Sequence, residues 1–178
     1  MSCSGFDDLV AASGRIRDAL VTVGDHPELL RRSARQLDEI AAALESAALN
    51  PDPGYMVRDR GLIPRHTVTV DDGMHLAGHT TVERHFDGVG AVHGGAIALL
   101  FDELLGRLAN TARPMARTAF LRMDFRVPAP WGVQLDFACR IEKIEGRKRF
   151  LAGDLMRDDV VLAQASGLWV ELRPDTSG

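Results

Sequence analysis

The sequence predicts an α+β fold, an antiparallel sheet packed against one long helix, with a helical extension in front of it. Three observations predict this. A single strongly helical stripe stands in the middle of the chain. Two extended segments precede that stripe and four follow it, separated by turn residues. The first fifty residues carry a helical pattern of their own, closed off by a breaker.

In the extension, Leu29, Leu30, Leu37, Ile40, Ala41 and Leu44 recur at spacings of three and four among Ala, Arg and Glu. Asp25 or His26 before Pro27 marks a helix start, because proline is tolerated in a first turn. Asn50-Pro51-Asp52-Pro53-Gly54 ends any helix. The expected division is 1–54 as a helical N-terminal extension and 55–178 as the main domain. Past the breaker, His66 to Val70 alternates, Asp71-Asp72-Gly73 turns the chain, and Leu76 to Arg84 is a second extended run.

The helix follows. Ile97, Leu100, Phe101, Leu104, Leu105 and Leu108 fall on one apolar stripe. Gly94 and Gly95 open it, and Thr111 to Pro114 closes it. Four strands remain. Ala119, Leu121, Met123, Phe125 and Val127 alternate with polar residues that include Thr118, Arg122 and Asp124. Val133, Leu135, Phe137, Cys139 and Ile141 repeat the pattern. Turns at Glu145-Gly146 and Asp158-Asp159 set off two further strands, which end near Leu172.

Composition limits the partners. With 178 residues, 46% apolar and 26% charged, the chain suits one ordinary domain. Lys and Arg number 21 against 25 Asp and Glu, a formal charge of −4, which argues against a nucleic-acid binder. Two cysteines, Cys3 and Cys139, make neither a disulfide framework nor a zinc site, and Cys139 reads as a small core hydrophobe. No secretory signal is seen, and the apolar run Ala96–Phe101 is too short to cross a bilayer. The expectation is a reduced, cytoplasmic protein with no membrane partner.

The helix also carries candidate chemistry. On a helical wheel Asp102 stands away from the apolar stripe, in line with Gly95, Ala98, Gly106 and Ala109, so a ligand or another backbone is expected to approach it closely. His93-Gly94-Gly95 sits where a loop feeds the helix. Unpaired N–H groups and the positive end of the dipole there suit a developing oxyanion. His93 lies on the core side, and a ring hydrogen bond that orients the loop is its expected role. Arg147-Lys148-Arg149 is the dense basic cluster of the strand half, suited to phosphate groups.

His93-Gly94-Gly95, six residues and then Asp102 resembles the signature of hotdog-fold acyl-CoA thioesterases, closest to the phenylacetic-acid-pathway and THEM-type branch. Phe86-x-Gly88-x-Gly90-x-Val92 before it is similar, as are Thr118, the stretch Asp124-Phe125-Arg126-Val127-Pro128, and Ala163 to Val170. The likeness spans about residues 60–172. It implies a curved antiparallel sheet wrapped around the central helix, with a homodimer as the minimal unit and acyl-CoA at the subunit interface. It implies that a Gly94 or Gly95 amide polarises the thioester carbonyl. Asp102 activates water or attacks directly, and Thr118 from the partner subunit holds the water or Asp102. Arg147, Lys148 and Arg149 bind the nucleotide end. No metal or other cofactor is implied, coenzyme A entering as part of the substrate. Two departures stand out. Asp87, Gly88 and Val89 occupy a loop where several relatives have Asn or Gln. His85-Phe86 resembles the hotdog dehydratases, but Leu99 stands where those place a catalytic Glu. A non-catalytic acyl-CoA binder is the alternative reading, and an acyl-thioester dehydratase or hydratase ranks below it.

Overall fold

The computed structural model describes residues 4–47 and 63–173. The chain divides into two compact units, Met1–Arg60 and Gly61–Gly178. The expected breaker at Asn50–Gly54 and the domain start at residue 55 lie outside the described residues. The first unit holds two helices, α1 (Ser4–Thr22) and α2 (Pro27–Ala47). Pro27 opens α2 at the position where its missing N–H leaves no hydrogen bond unmade.

The second unit is α+β. In chain order it contains β1 (His66–Asp71), β2 (His75–Thr81), a 3-10 turn at Arg84–Phe86, α3 (Gly94–Asn110), β3 (Ala116–Phe125), β4 (Gln134–Glu145), β5 (Lys148–Arg157) and β6 (Val160–Glu171). The six strands form one antiparallel sheet in the order β1-β2-β4-β5-β6-β3. Helix α3 packs against β2, β3, β4, β5 and β6. The order of elements is the expected one. The second extended run is shorter than expected. It stops at Thr81, and Arg84 enters the 3-10 turn, where the Phe86 N–H donates to Glu83 O and the Asp87 N–H to Arg84 O.

The core forms because two periodicities meet. Ile97, Leu100, Phe101, Leu104, Leu105 and Leu108 are each at most 3% exposed. They face the buried alternate residues Leu135, Phe137, Cys139 and Ile141 of β4 and Leu151 and Leu155 of β5. Each such side chain contributes roughly 1.5–3 kcal/mol through burial. Close approach of helix to sheet requires Gly153, since a Cβ there would fall 2.7 Å from Phe101 Cε1 and 2.9 Å from Cys139 Sγ. The outer face of the sheet is polar. Arg140 and Gln164 both donate to Asp154, and Arg126 donates to Gln164.

Strand β3 departs from its simple alternation. It ends the sheet and pairs with β6 alone. Between Thr118 and Phe120 the register slips by one residue, the mark of a β-bulge at Ala119. Residues on either side of a bulge change parity. Thr118 therefore faces α3 together with Leu121 and Met123, although sequence alternation put it on the opposite face from them. Phe120, Phe125 and Val127 remain 45–54% exposed. No helix among the described residues is long and apolar enough to cross a membrane.

Candidate active site

The loop before α3 is tightly tied. The Gly88 N–H donates to Ala91 O at 2.6 Å, the His93 N–H to Phe86 O at 2.8 Å, and the Val92 N–H to Ala129 O at 2.8 Å. Val89, 99% exposed, takes a positive φ of 75°, and Gly90 follows at 88°. A β-branched residue in that region is strained. His93 is the N-cap of α3, and its Nδ1 accepts from the Gly95 N–H at 3.0 Å. The histidine thus makes a ring hydrogen bond to the backbone at the entrance of α3. The bond also engages one of the two candidate oxyanion donors. The Gly94 N–H has no partner among the described residues. The ring of Phe125, from the end of β3, lies over Gly94, where a Cβ would come 3.1 Å from Phe125 Cζ.

Asp102 is exposed on α3, and Thr118 Oγ1 donates to its Oδ1 at 2.8 Å. The two residues belong to the same chain. This corrects the expectation that the threonine reaches Asp102 from a partner subunit. The cause is the Ala119 bulge, which turns Thr118 toward its own helix. The small-residue stripe is also corrected. Ala109 is wholly buried, and Gly106 faces β6, with a Cβ there placed 3.5 Å from Trp169 Nε1. A Cβ at that distance makes an ordinary contact, so packing against Trp169 does not itself require glycine at 106. The open face around Asp102 consists of Gly95, Leu99, Glu103 and Arg107, with Leu99 48% exposed.

Two residues tie the last turn of α3 to the start of β3, Asn110, which sequence reasoning missed, and Arg149, which it placed in another role. Asn110, at the end of α3, accepts from the Ala116 N–H at 2.7 Å and donates to Gly106 O at 2.9 Å. It clamps the start of β3 to the last turn of the helix. Arg149 does the same from β5. Its guanidinium donates to Ala109 O at 2.8 Å, to Pro114 O at 2.7 Å and to Glu171 Oε2 at 2.6 Å. Arg149 is 2% exposed. Its expected role in holding substrate phosphates is therefore corrected, because every hydrogen bond shown goes inward to the protein. Arg147 is exposed and donates to Glu171 O at 2.9 Å, and Lys148 is exposed. Of the basic cluster, these two remain at the surface. Among the described residues no three His, Cys, Asp or Glu side chains are grouped as metal ligands would be.

One long helix laid across a six-stranded antiparallel sheet, entered through a glycine pair and carrying an open carboxylate, defines the second unit as a hotdog-fold domain. Residues 89–164 match the thioesterase superfamily, and the unit has the hotdog fold. The chain is 35% identical over 94 residues to the acyl-coenzyme A thioesterase THEM4 of Rattus norvegicus, a match covering 51% of this chain and 40% of that relative. The THEM4 of Xenopus laevis is 36% identical over 87 residues, 48% of this chain and 39% of the relative. The match thus spans well under half the length of these curated relatives. Among solved structures, protein RHA08564, a thioesterase superfamily protein, superposes with a TM-score of 0.82 at 28% identity, over 96% of this chain and 92% of that one. The PaaI protein of the Escherichia coli phenylacetic acid degradation operon shares the fold at 17% identity, with a TM-score of 0.56 over 61% of this chain and 80% of that one.

Proposed function

We propose that the chain is an acyl-CoA thioesterase, hydrolysing an acyl-CoA to a carboxylic acid and free coenzyme A. The observation that carries this is the Asp102–Thr118 pair on the open face of α3. A threonine hydroxyl on Oδ1 fixes the carboxylate and leaves Oδ2 to a water molecule or to the thioester carbon. Water attacks the carbonyl carbon as Asp102 takes its proton. The resulting oxyanion is held by a backbone amide, the C–S bond breaks, and the thiolate leaves with a proton. In the covalent variant Asp102 attacks first, and water opens the anhydride.

The acid and the amide act from different copies of the chain. Gly94 and Asp102 are eight residues apart on one helix, roughly 12 Å along its axis at the usual rise. No single thioester carbonyl spans that gap, since donor and attacking group must each lie about 3 Å from the reacting atoms. A second copy laid antiparallel against α3 brings its own Gly94 to Asp102. Strand β3 supports this docking, for it ends the sheet with an unpaired edge beside exposed Phe120, Phe125 and Val127. Acyl-CoA as substrate is supported by the names of the THEM4 relatives and by a structural neighbour from Streptococcus mutans solved with acetyl CoA.

A panel of acyl-CoAs with free thiol as the readout tests the activity. Release of thiol from at least one of them, lost in Asp102→Asn, is expected. Saturable acyl-CoA binding without thiol release would overturn the assignment in favour of a non-catalytic binder. Mixing inactive Asp102→Asn chains with inactive Gly94→Pro chains tests the shared site. Each mixed pair regains one intact site, whereas a site built within one chain regains none.

A further inference from the structure

We infer that α2 is a self-association element, pairing antiparallel with the α2 of a second copy of this chain. The inference stands apart from the hydrolase reading, which uses no residue of this helix. Leu29, Leu30, Leu37, Ile40 and Leu44 on α2 are 36–48% exposed. Leu30, Leu37 and Leu44 recur every seven residues, with Ile40 and the small residues Ser33, Ala34 and Ala41 beside them. That is the seam of a two-helix coiled coil, and the alanines let the backbones approach closely.

The occupant follows from the symmetry of the helix itself. Leu37 is the midpoint of Pro27–Ala47. A two-fold axis through Leu37 sets Leu37 against its own copy, Leu30 against the second copy's Leu44, and Ala34 against the second copy's Ile40. An isologous contact must be self-complementary, and this seam is. The charges agree. Arg31, Arg32 and Arg35 lie in the N-terminal half, and Asp38, Glu39 and Glu45 in the C-terminal half. Antiparallel packing superposes opposite signs, and parallel packing superposes like ones. On one flank of the seam Arg31 comes within two residues of level with the second copy's Glu45, an offset of about 3 Å that the long arginine side chain spans, once on each side of the axis. The two Asp38 carboxylates stand between these pairs at the solvated rim. Arg31 also spends one N–H on Glu28 at 2.8 Å, an exposed pair that yields readily. A bilayer surface is the poorer fit, since α2 carries four acids against three arginines and interfacial helices are rich in basic residues.

The test uses the full chain in a Cys3→Ser background, with Cys139 buried and out of reach. Leu37→Cys should form a disulfide-linked dimer on mild oxidation at least tenfold faster than Arg35→Cys, which points to the opposite side of the helix. Arg31→Glu should slow the Leu37→Cys reaction, and Glu45→Arg in the same chain should restore it. Equal rates at positions 37 and 35, or no rescue by the charge swap, would overturn the pairing. So would flotation of the protein with phosphatidylglycerol vesicles together with absent cross-linking. Thiol release measured on the same samples reports the hydrolase reading separately.

Discussion

Thr118 Oγ1 and Asp102 Oδ1 lie 2.8 Å apart, joining the end strand of the sheet to the open face of the central helix. The bond crosses sixteen residues of chain and exists only because β3 carries one extra residue at Ala119. Its loss and the loss of the acid should differ in size. Asp102→Asn should lower kcat by about 10²–10⁴-fold, the usual worth of a general base. Thr118→Ala should cost about tenfold, in line with one hydrogen bond to a charged group, and Thr118→Ser should recover most of it. Asp102 is exposed, so its replacements should melt within about 0.5 kcal/mol of the parent. Steady-state kinetics beside thermal melts separate the two effects, and an unchanged kcat in Asp102→Asn would remove the residue from the mechanism.

Gly94 offers a cleaner test of the oxyanion donor than Gly95, whose N–H is engaged by His93. Gly94 is the first helical residue, where proline fits, and His93 before it already has the φ −59°, ψ 130° that a residue preceding proline favours. Gly94→Pro therefore deletes one N–H without breaking the helix. Gly94→Ala imposes similar crowding on Phe125 while keeping the donor. Turnover should fall about 10²–10³-fold in the proline variant and far less in the alanine variant. Equal losses would assign the effect to the displaced ring of Phe125.

Much of the fold was legible in the sequence, and each miss has its own physical cause. The α3 stripe and the alternation of β4 are periodic over ten residues or more, and both elements appear where periodicity put them. Asp102, His93 and Gly94 were singled out because a helix fixes which residues share a turn, and the structure sets Thr118 on Asp102 and the Gly95 N–H on His93. The partner of Asp102 was assigned to the wrong subunit because a β-bulge leaves no periodic signature, and one inserted residue reverses the face of everything beyond it. Arg149 was read as a phosphate-binding residue because three consecutive basic residues look like an open cationic patch. Strand alternation alone points one of the three inward, and the carbonyls that receive it come from residues 35 and 40 positions away. Asn110 carried no signal beyond its place at the end of the helix.

The basic hairpin should accordingly split in two. Arg149→Ala leaves Ala109 O, Pro114 O and the Glu171 carboxylate without their partner, at a cost of about 3–5 kcal/mol. Lysine recovers only part of it, since one ammonium cannot reproduce the planar fork. The expected drop in Tm is on the order of 10 °C or more. Lys148→Glu should leave Tm unchanged. If this hairpin meets the nucleotide end of coenzyme A, it should raise KM for acyl-CoA about two- to fivefold at low salt. The effect should vanish with a pantetheine thioester, which carries no nucleotide. An equal change with both substrates would remove Lys148 from phosphate binding.

Cys139 gives the fold a sensitivity to alkali. Burial against α3 pushes its thiol up to about 12, Asp154 adding to the effect and Arg140 opposing it. In the unfolded chain the thiol ionises near its ordinary value of 9.0. Between these values the unfolded state releases a proton that the folded state keeps, so stability falls as pH rises. The contribution is fully present below pH 9 and is lost at about 1.4 kcal/mol per pH unit up to about 12. Denaturant titrations of the parent and Cys139→Ala at pH 8, 9, 10 and 11 should show a difference that is constant up to 9 and shrinks above it. In a Cys3→Ser background, iodoacetamide at pH 8 should leave the native thiol unmodified and label it once denaturant unfolds the chain. Rapid labelling of the native protein would show that the α3–β4–β5 core opens far more often than its packing allows.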